Sequence, residues 1–211
     1  MDLLVPLATV APGLDSVALT VLAGVDAAMS ATQIQRVAGR GSRYGLVLVL
    51  ERLVEHGLVT AIPAARGNLY QLNRQHVLAP VVLAAVRVRA EVNDRLAGEA
   101  GNLIPRPLSV AVFGSVARGE ATADSDLDVL IIAKDELDPE SDAWVGQVDD
   151  LERRTRLRIG NSLQITTVTQ TQLAAMVNSG APIIDEWDRD AHTIMGQDAR
   201  DLIRAARKKA L

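Results

Sequence analysis

The sequence of 211 residues predicts an α/β (α+β) protein with two domains and a helix between them. Short helical patterns separated by glycines lie between residues 15 and 57, and two β-favouring runs follow them up to residue 72. Beyond residue 105, apolar β-favouring runs alternate with helical stretches. A chain of this length can bury a core in each of two domains. We predict an N-terminal domain over 1–78, a connecting helix over 79–104 and a C-terminal domain over 105–211.

Composition limits the partners and the location that we expect. The formal net charge is −4, and its acidic excess lies after residue 78, so contact with a polyanion should be local. The absence of cysteine excludes disulfides and thiolate chemistry and fits a cytoplasmic location. No apolar run reaches the ~18–20 residues of a membrane span, so we expect a soluble protein without membrane contact. Aromatic residues make up 2% of the chain, which disfavours base stacking.

The N-terminal domain is predicted to contain three helices followed by a β-hairpin, after an extended lead-in over 1–13. Ser30 and Ser42 precede helical patterns as N-caps, while Gly39 and Gly57 stand where helices should stop. A basic turn around Arg66 joins the two β-favouring runs. The predicted bounds are about 15–22, 31–38 and 43–56 for the helices, and 58–62 and 69–72 for the strands.

This order of elements is that of a winged helix-turn-helix. The segment Ser30 to Leu72 resembles the DNA-binding domains of bacterial regulators of the MarR and ArsR kinds, particularly in LVEHGLVTA at the end of the third helix. The resemblance implies that the third helix enters the major groove of double-stranded DNA and that the hairpin tip meets the backbone. It would place against DNA the residues Arg40, Ser42, Arg43, Tyr44, Arg66 and Asn68. Such domains also serve as protein-contact modules, and many regulators of this kind form homodimers.

The connecting helix and the C-terminal domain follow from periodicity and punctuation. Apolar residues between Val81 and Val92 recur at helical spacing, with Pro80 tolerated in the first turn. Pro105 and Pro107 mark the entry to the next domain. The predicted strands are 108–113, 129–132 and 163–168, with a short strand or turn at 192–195. The predicted helices are about 142–158, 170–178, 183–190 and 199–209.

The stretch VAVFGSVARGEATADSDLDVLII, residues 110–132, places a polar segment between two buried strands. Gly114 lets the backbone approach a ligand closely, and Ser115 adds a hydroxyl and a free N–H for an anion. Asp126 and Asp128 are two residues apart, so on a strand both would point to one face, as a shared divalent cation requires. The alternative is an acidic turn cluster on a solvated loop.

Gly114-Ser115, Arg118-Gly119, Ser125-Asp126 and Asp128 match the G-S-x-x-R-G-x(6)-D-x-D signature of the minimal nucleotidyltransferases in the DNA polymerase β superfamily. The resemblance implies a nucleotidyltransferase fold, with a small mixed sheet flanked by helices. It implies that a nucleoside triphosphate is bound by Gly114, Ser115, Arg118 and Ser125. It also implies that the catalytic residues Asp126 and Asp128 hold Mg²⁺.

One position departs from the residue pattern of that family. Active members usually carry a third carboxylate on a later strand, and the corresponding position on the predicted strand 163–168 holds Gln164. No Asp or Glu lies between Glu152 and Asp185. Acids that could substitute through an unusual geometry are Asp149, Asp150 and Asp185.

Two main hypotheses follow from these resemblances. The first is a DNA-binding nucleotidyltransferase that modifies a protein or small-molecule acceptor, in a regulatory, toxin–antitoxin or phage-defence role. The second is a transcription regulator whose degenerate transferase domain senses a nucleotide or docks a partner, and Gln164 favours it. An interaction module with neither activity is a third interpretation.

Overall fold

Capping residues set the ends of several helices in the computed structural model, which describes residues 1–209. The Ser30 hydroxyl accepts the Gln33 N–H, and the Gln33 side chain accepts the Ser30 N–H in return. Thr169 begins a later helix with the same reciprocal arrangement. The Ser42 hydroxyl accepts the Gly45 N–H. The helix starts predicted at Ser30 and Ser42 are therefore confirmed, because each cap satisfies an N–H that the helix leaves unpaired.

The helices are α1 (Leu14–Ala23), α2 (Ala31–Ala38), α3 (Arg43–Glu55), α4 (Ala79–Ala100), α5 (Gly114–Arg118), α6 (Asp142–Ile159), α7 (Gln170–Asn178), α8 (Ile183–Asp190) and α9 (Ala199–Lys209). The strands are β1 (Met29–Ser30), β2 (Val59–Ala64), β3 (Gly67–Leu72), β4 (Ser109–Phe113), β5 (Leu127–Ala133), β6 (Leu163–Thr169) and β7 (His192–Gly196). The lead-in is not wholly extended, since a 3₁₀ turn over Pro6–Thr9 starts at a proline, whose fixed φ suits a first turn. Within residues 1–209, no helix combines the length and apolar character needed to cross a bilayer.

One compact unit, the N-terminal unit, contains Asp2 and Leu4–Arg89. Its three helices α1–α3 share a core with an antiparallel sheet of order β1-β3-β2. Leu22, Ile34 and Leu50 are fully buried in this core. The predicted hairpin is present, with β2 and β3 paired along their full length, while the two-residue β1 was not predicted.

The second compact unit, the C-terminal unit, contains Met1, Leu3 and the chain from Ala90 onward, so the division falls inside α4. Its mixed sheet has the order β6-β5-β4-β7, with β5 and β6 parallel and the other pairs antiparallel. Helices α7, α8 and α9 share one core with Phe113 and Leu130. Helix α6 packs on the opposite face, where the Trp144 indole donates to Thr167. The α+β class is confirmed.

Candidate functional site

The turn after β4 touches a carboxylate on the neighbouring strand. Phe113, the last residue of β4, pairs with Asp128 of β5. Gly114 follows with φ +71°, and a Cβ at this position would lie 2.3 Å from Asp128 Oδ2. Only glycine therefore lets the Asp128 carboxylate stand against this turn. The two halves of the motif are in direct contact.

Asp126 and Asp128 occupy different local structures. Asp128 lies within β5 and is half-buried, whereas Asp126 is exposed in irregular chain just before the strand. Burial raises the pKa of Asp128, and the charges of Asp126 and Glu186 raise it further, while Arg118 lowers it. The surroundings of Asp128 therefore carry negative charge that a bound cation would relieve.

Gln164 is the β6 residue beside Asp128. The parallel pairing of β5 and β6 places Asp128 opposite Gln164, and paired positions on adjacent strands share a face of the sheet. The sheet thus brings a neutral amide to the position where sequence comparison suggested a third acid. An amide oxygen can coordinate a cation, but it cannot serve as a base.

Two of the three acids proposed as substitutes have arginine partners. Asp150 is bound by Arg153 and Arg154, and Asp185 accepts from Arg207 Nη2 at 2.7 Å. Asp149 instead lines a cavity of about 360 Å³ that also borders Gln164. Only Asp149 among these three lies in a cavity wall with Gln164.

Arg118 is held by three carboxylates. Its Nε donates to Glu120 at 2.8 Å, and its Nη1 donates to Asp190 at 2.7 Å and to Glu186 at 3.3 Å. The Asp190 side chain is only 4% exposed and also accepts from Arg189. The Arg189 and Arg118 guanidinium groups lower the pKa of Asp190 to about 2. A phosphate that recruits Arg118 must compete with these carboxylates.

Glu186 and Asp190 were not identified from the sequence. Their spacing of four residues places them on one face of α8, which is the only sequence signal that they carry. That spacing does not predict which element this face of α8 contacts, because α5 lies about 70 residues earlier in the chain. The contact depends on how α8 packs against α5.

The two candidate serines have different surroundings. Ser125 Oγ accepts the Thr122 N–H at 2.9 Å, so this hydroxyl closes the loop in front of Asp126. Ser115 is half-buried and follows Gly114 in the first turn of α5. Of the two, Ser115 is adjacent in sequence to the glycine turn that touches Asp128.

The donor set fits a magnesium ion that shares its ligands with a nucleotide. Within the described chain, no group of three or more His, Cys, Asp or Glu residues could hold a metal ion. Mg²⁺ is commonly held by one or two carboxylates together with substrate phosphates, not by an all-protein cage. The pair Asp126 and Asp128, with Asp128 against the Gly114 turn, satisfies that requirement.

Six residues of the N-terminal unit were predicted to contact DNA. Within residues 1–209, four of them have exposed side chains that form no helix cap and no ion pair. They are Arg43, Tyr44, Arg66 and Asn68. Ser42 is the N-cap of α3, and Arg40 Nη1 donates to Asp2 at 2.8 Å. All six side chains are exposed, but Arg40 and Ser42 also have intramolecular roles.

Comparison with known proteins agrees with this location of the site. Residues 94–168 match the family model of the nucleotidyltransferase domain, a range that contains Gly114, Asp126, Asp128 and Gln164. No curated protein matches the chain significantly. A crystal structure of a toxin–antitoxin with AMP-PNP is similar at 15% identity and a TM-score of 0.40, covering 56% of this chain and 82% of its own. A mutant of the toxin–antitoxin MntA-HpeT gives 12% identity, a TM-score of 0.39 and the same coverages.

Proposed function

We propose that the C-terminal unit transfers a nucleotidyl group from a nucleoside triphosphate to an acceptor hydroxyl, with Mg²⁺ as cofactor. The contact between the Gly114 turn and the Asp128 carboxylate carries this proposal, because it joins a phosphate-compatible turn to a metal ligand. The family match spans both features. Adjacent phosphate and metal sites are what phosphoryl chemistry requires.

Each residue has a distinct task in this proposal. The backbone at Gly114 and Ser115 binds phosphate oxygens, and Asp126 and Asp128 hold the ion. When bound, Mg²⁺ neutralises charge on the transferring and leaving phosphates. The acceptor oxygen forms a bond to the α-phosphorus as the bond to pyrophosphate breaks. Arg118 binds a phosphate oxygen with its guanidinium group after it releases one of the carboxylates that hold it.

The acceptor approaches from the β6 side of Asp128. The glycine turn follows β4, which lies on one side of β5, and Gln164 lies on the other side. Gln164 is exposed on β6, which is the edge strand of this sheet, so this side leaves room for a polar acceptor on a protein or a small molecule. Because Gln164 cannot accept the hydroxyl proton, that proton passes to water or to a substrate phosphate.

Transfer of label from α-³²P nucleoside triphosphates tests this function. The wild-type protein should label an acceptor only with Mg²⁺, and Asp126→Ala should abolish labelling because one metal ligand is lost. Asp138→Ala removes an acid from another loop of the same unit and should keep labelling. Labelling that persists in Asp126→Ala would contradict the proposal.

A nucleotide sensor is the second candidate, and the position of Gln164 favours it. Such a protein binds the Mg²⁺ complex of a nucleotide through the same turn and carboxylates but lacks transfer. Tight nucleotide binding that requires Asp126, without label in any acceptor, would support the sensor over the transferase. Either activity is compatible with a cytoplasmic regulator or toxin–antitoxin component that acts on a protein partner.

We further propose that the N-terminal unit is a winged helix that binds double-stranded DNA, with a homodimer reading paired half-sites. The order of α1–α3 with the β1-β3-β2 sheet supports this, as do the exposed Arg43 and Arg66. Binding to the DNA upstream of its own coding sequence should weaken as the salt concentration rises. Affinity for this DNA should also fall in Arg43→Ala and in Arg66→Ala. Arg52→Ala removes a charge that α3 already pairs with Asp15, and should change binding less. Unchanged binding in both test variants would exclude this docking mode.

A further inference from the structure

Asp126 lies outside the sheet that fixes its partner. Strand β5 begins at Leu127, and residues 119–126 contain neither helix nor strand. Asp128 is therefore held by strand pairing on both sides, whereas the position of Asp126 depends on what restrains this loop. An exposed carboxylate on a loose loop would lose conformational freedom on binding a metal, which weakens binding.

Asn161 restrains the loop from the turn before β6. It is 4% exposed, and its Nδ2 donates to Ser125 O at 2.9 Å and to Ala123 O at 3.2 Å. Both amide hydrogens are thus directed at the chain just before Asp126. The next residue continues this attachment, because Leu127 N donates to Ser162 O at 2.9 Å. Hydrogen bonds consequently flank Asp126 on both sides.

We infer that Asn161 is a positioning residue for the metal site, acting through the loop that carries Asp126. This inference rests on the proposed function, since it assigns to Asn161 the placement of a ligand in that same site. A side-chain amide suits the task because one nitrogen donates to two carbonyl oxygens at once. Neither an alanine nor an aspartate at this position can donate either bond.

The two substitutions should leave the fold intact but loosen the loop. In Asn161→Ala, the two carbonyl oxygens that lose a donor belong to Ala123, which is exposed, and Ser125, which is half-buried, so water can replace the amide. In Asn161→Asp, both N–H donors are likewise lost, while the acceptor that Asn161 Oδ1 offers to the Met1 nitrogen at 2.9 Å remains. Ser162→Ala is the matched control, because Ser162 contributes its backbone carbonyl to the contact.

Hydrogen exchange and Mn²⁺ titration of the full chain test the inference. Amide exchange over 122–127 should rise about tenfold in Asn161→Ala, and the Kd for Mn²⁺ should rise by at least about tenfold, as for other residues that orient metal ligands. In Asn161→Ala, amide exchange in β4 should match the wild type. In Ser162→Ala, both the exchange over 122–127 and the Kd for Mn²⁺ should match the wild type. Wild-type exchange over 122–127 in both Asn161 variants would overturn the inference.

Asp126→Asn separates failure of this inference from failure of the proposed function. If Mn²⁺ affinity depends on Asp126 but not on Asn161, the positioning role is wrong while the metal site stands. If Asp126→Asn binds Mn²⁺ as the wild type does, or the wild type binds none, the proposed function fails and the positioning role with it.

Discussion

Gly114→Ala tests whether the glycine turn and Asp128 form one site. A non-glycine residue in the left-handed region costs roughly 1–2 kcal/mol of stability. The added Cβ would also lie 2.3 Å from Asp128 Oδ2 and 3.1 Å from its Cγ. The short Asp128 side chain can relieve this overlap only by rotating or by moving its strand, and such overpacking typically costs about 1–3 kcal/mol more.

Gly119→Ala is the matched control, since Gly119 also has a positive φ, +75°, but has nothing within 4 Å of an added Cβ. Urea unfolding should show the backbone cost of roughly 1–2 kcal/mol in Gly119→Ala, and that cost plus the overlap cost of about 1–3 kcal/mol in Gly114→Ala. Mn²⁺ titration should show a loss of at least about tenfold in affinity only in Gly114→Ala, because only there is a ligand displaced. Equal Mn²⁺ affinity in the two variants would refute the claim that the turn shapes the metal site.

Three further predictions concern other parts of the chain. Gln164→Glu restores a carboxylate beside Asp128 and should tighten Mn²⁺ binding in titration, whereas Thr166→Glu, two residues further along the same face, should not. Asp190→Asn should lower the urea midpoint at neutral pH, because the lowered pKa of Asp190 stabilises the fold above its usual value of about 4. This difference in urea midpoint between the variant and the wild type should shrink below pH 4 and vanish only below about pH 2, and a constant difference would contradict the assignment. Ser30→Ala should cost about 1 kcal/mol in urea unfolding through loss of the α2 cap.

Local signals made much of the fold predictable from the sequence. The caps at Ser30 and Ser42, the hairpin over 59–72 and helix α8 over Ile183–Asp190 each depend on neighbouring residues. Two of the chain's β-favouring runs around the motif likewise became paired strands. Such features are encoded within a few residues of where they form.

Features that join distant segments were not available from the sequence in the same way. The carboxylates that hold Arg118 come partly from α8, and the amide that restrains the Asp126 loop comes from position 161. Gln164 was identified as the residue near the site only through a family resemblance, and its pairing with Asp128 follows from sheet register. Each of these contacts depends on how elements pack, which no local pattern specifies.

The proposed function depends above all on Asp126 and Asp128 binding a metal ion together with a nucleotide at the Gly114 turn. Its most direct test is a Mn²⁺ titration with and without AMP-PNP, comparing the wild type with the Asp126→Asn, Asp128→Asn double variant. AMP-PNP should tighten Mn²⁺ binding in the wild type, because its phosphates complete the coordination, and the double variant should lose both effects. Mn²⁺ binding that is unchanged by the double substitution or indifferent to the nucleotide would contradict it.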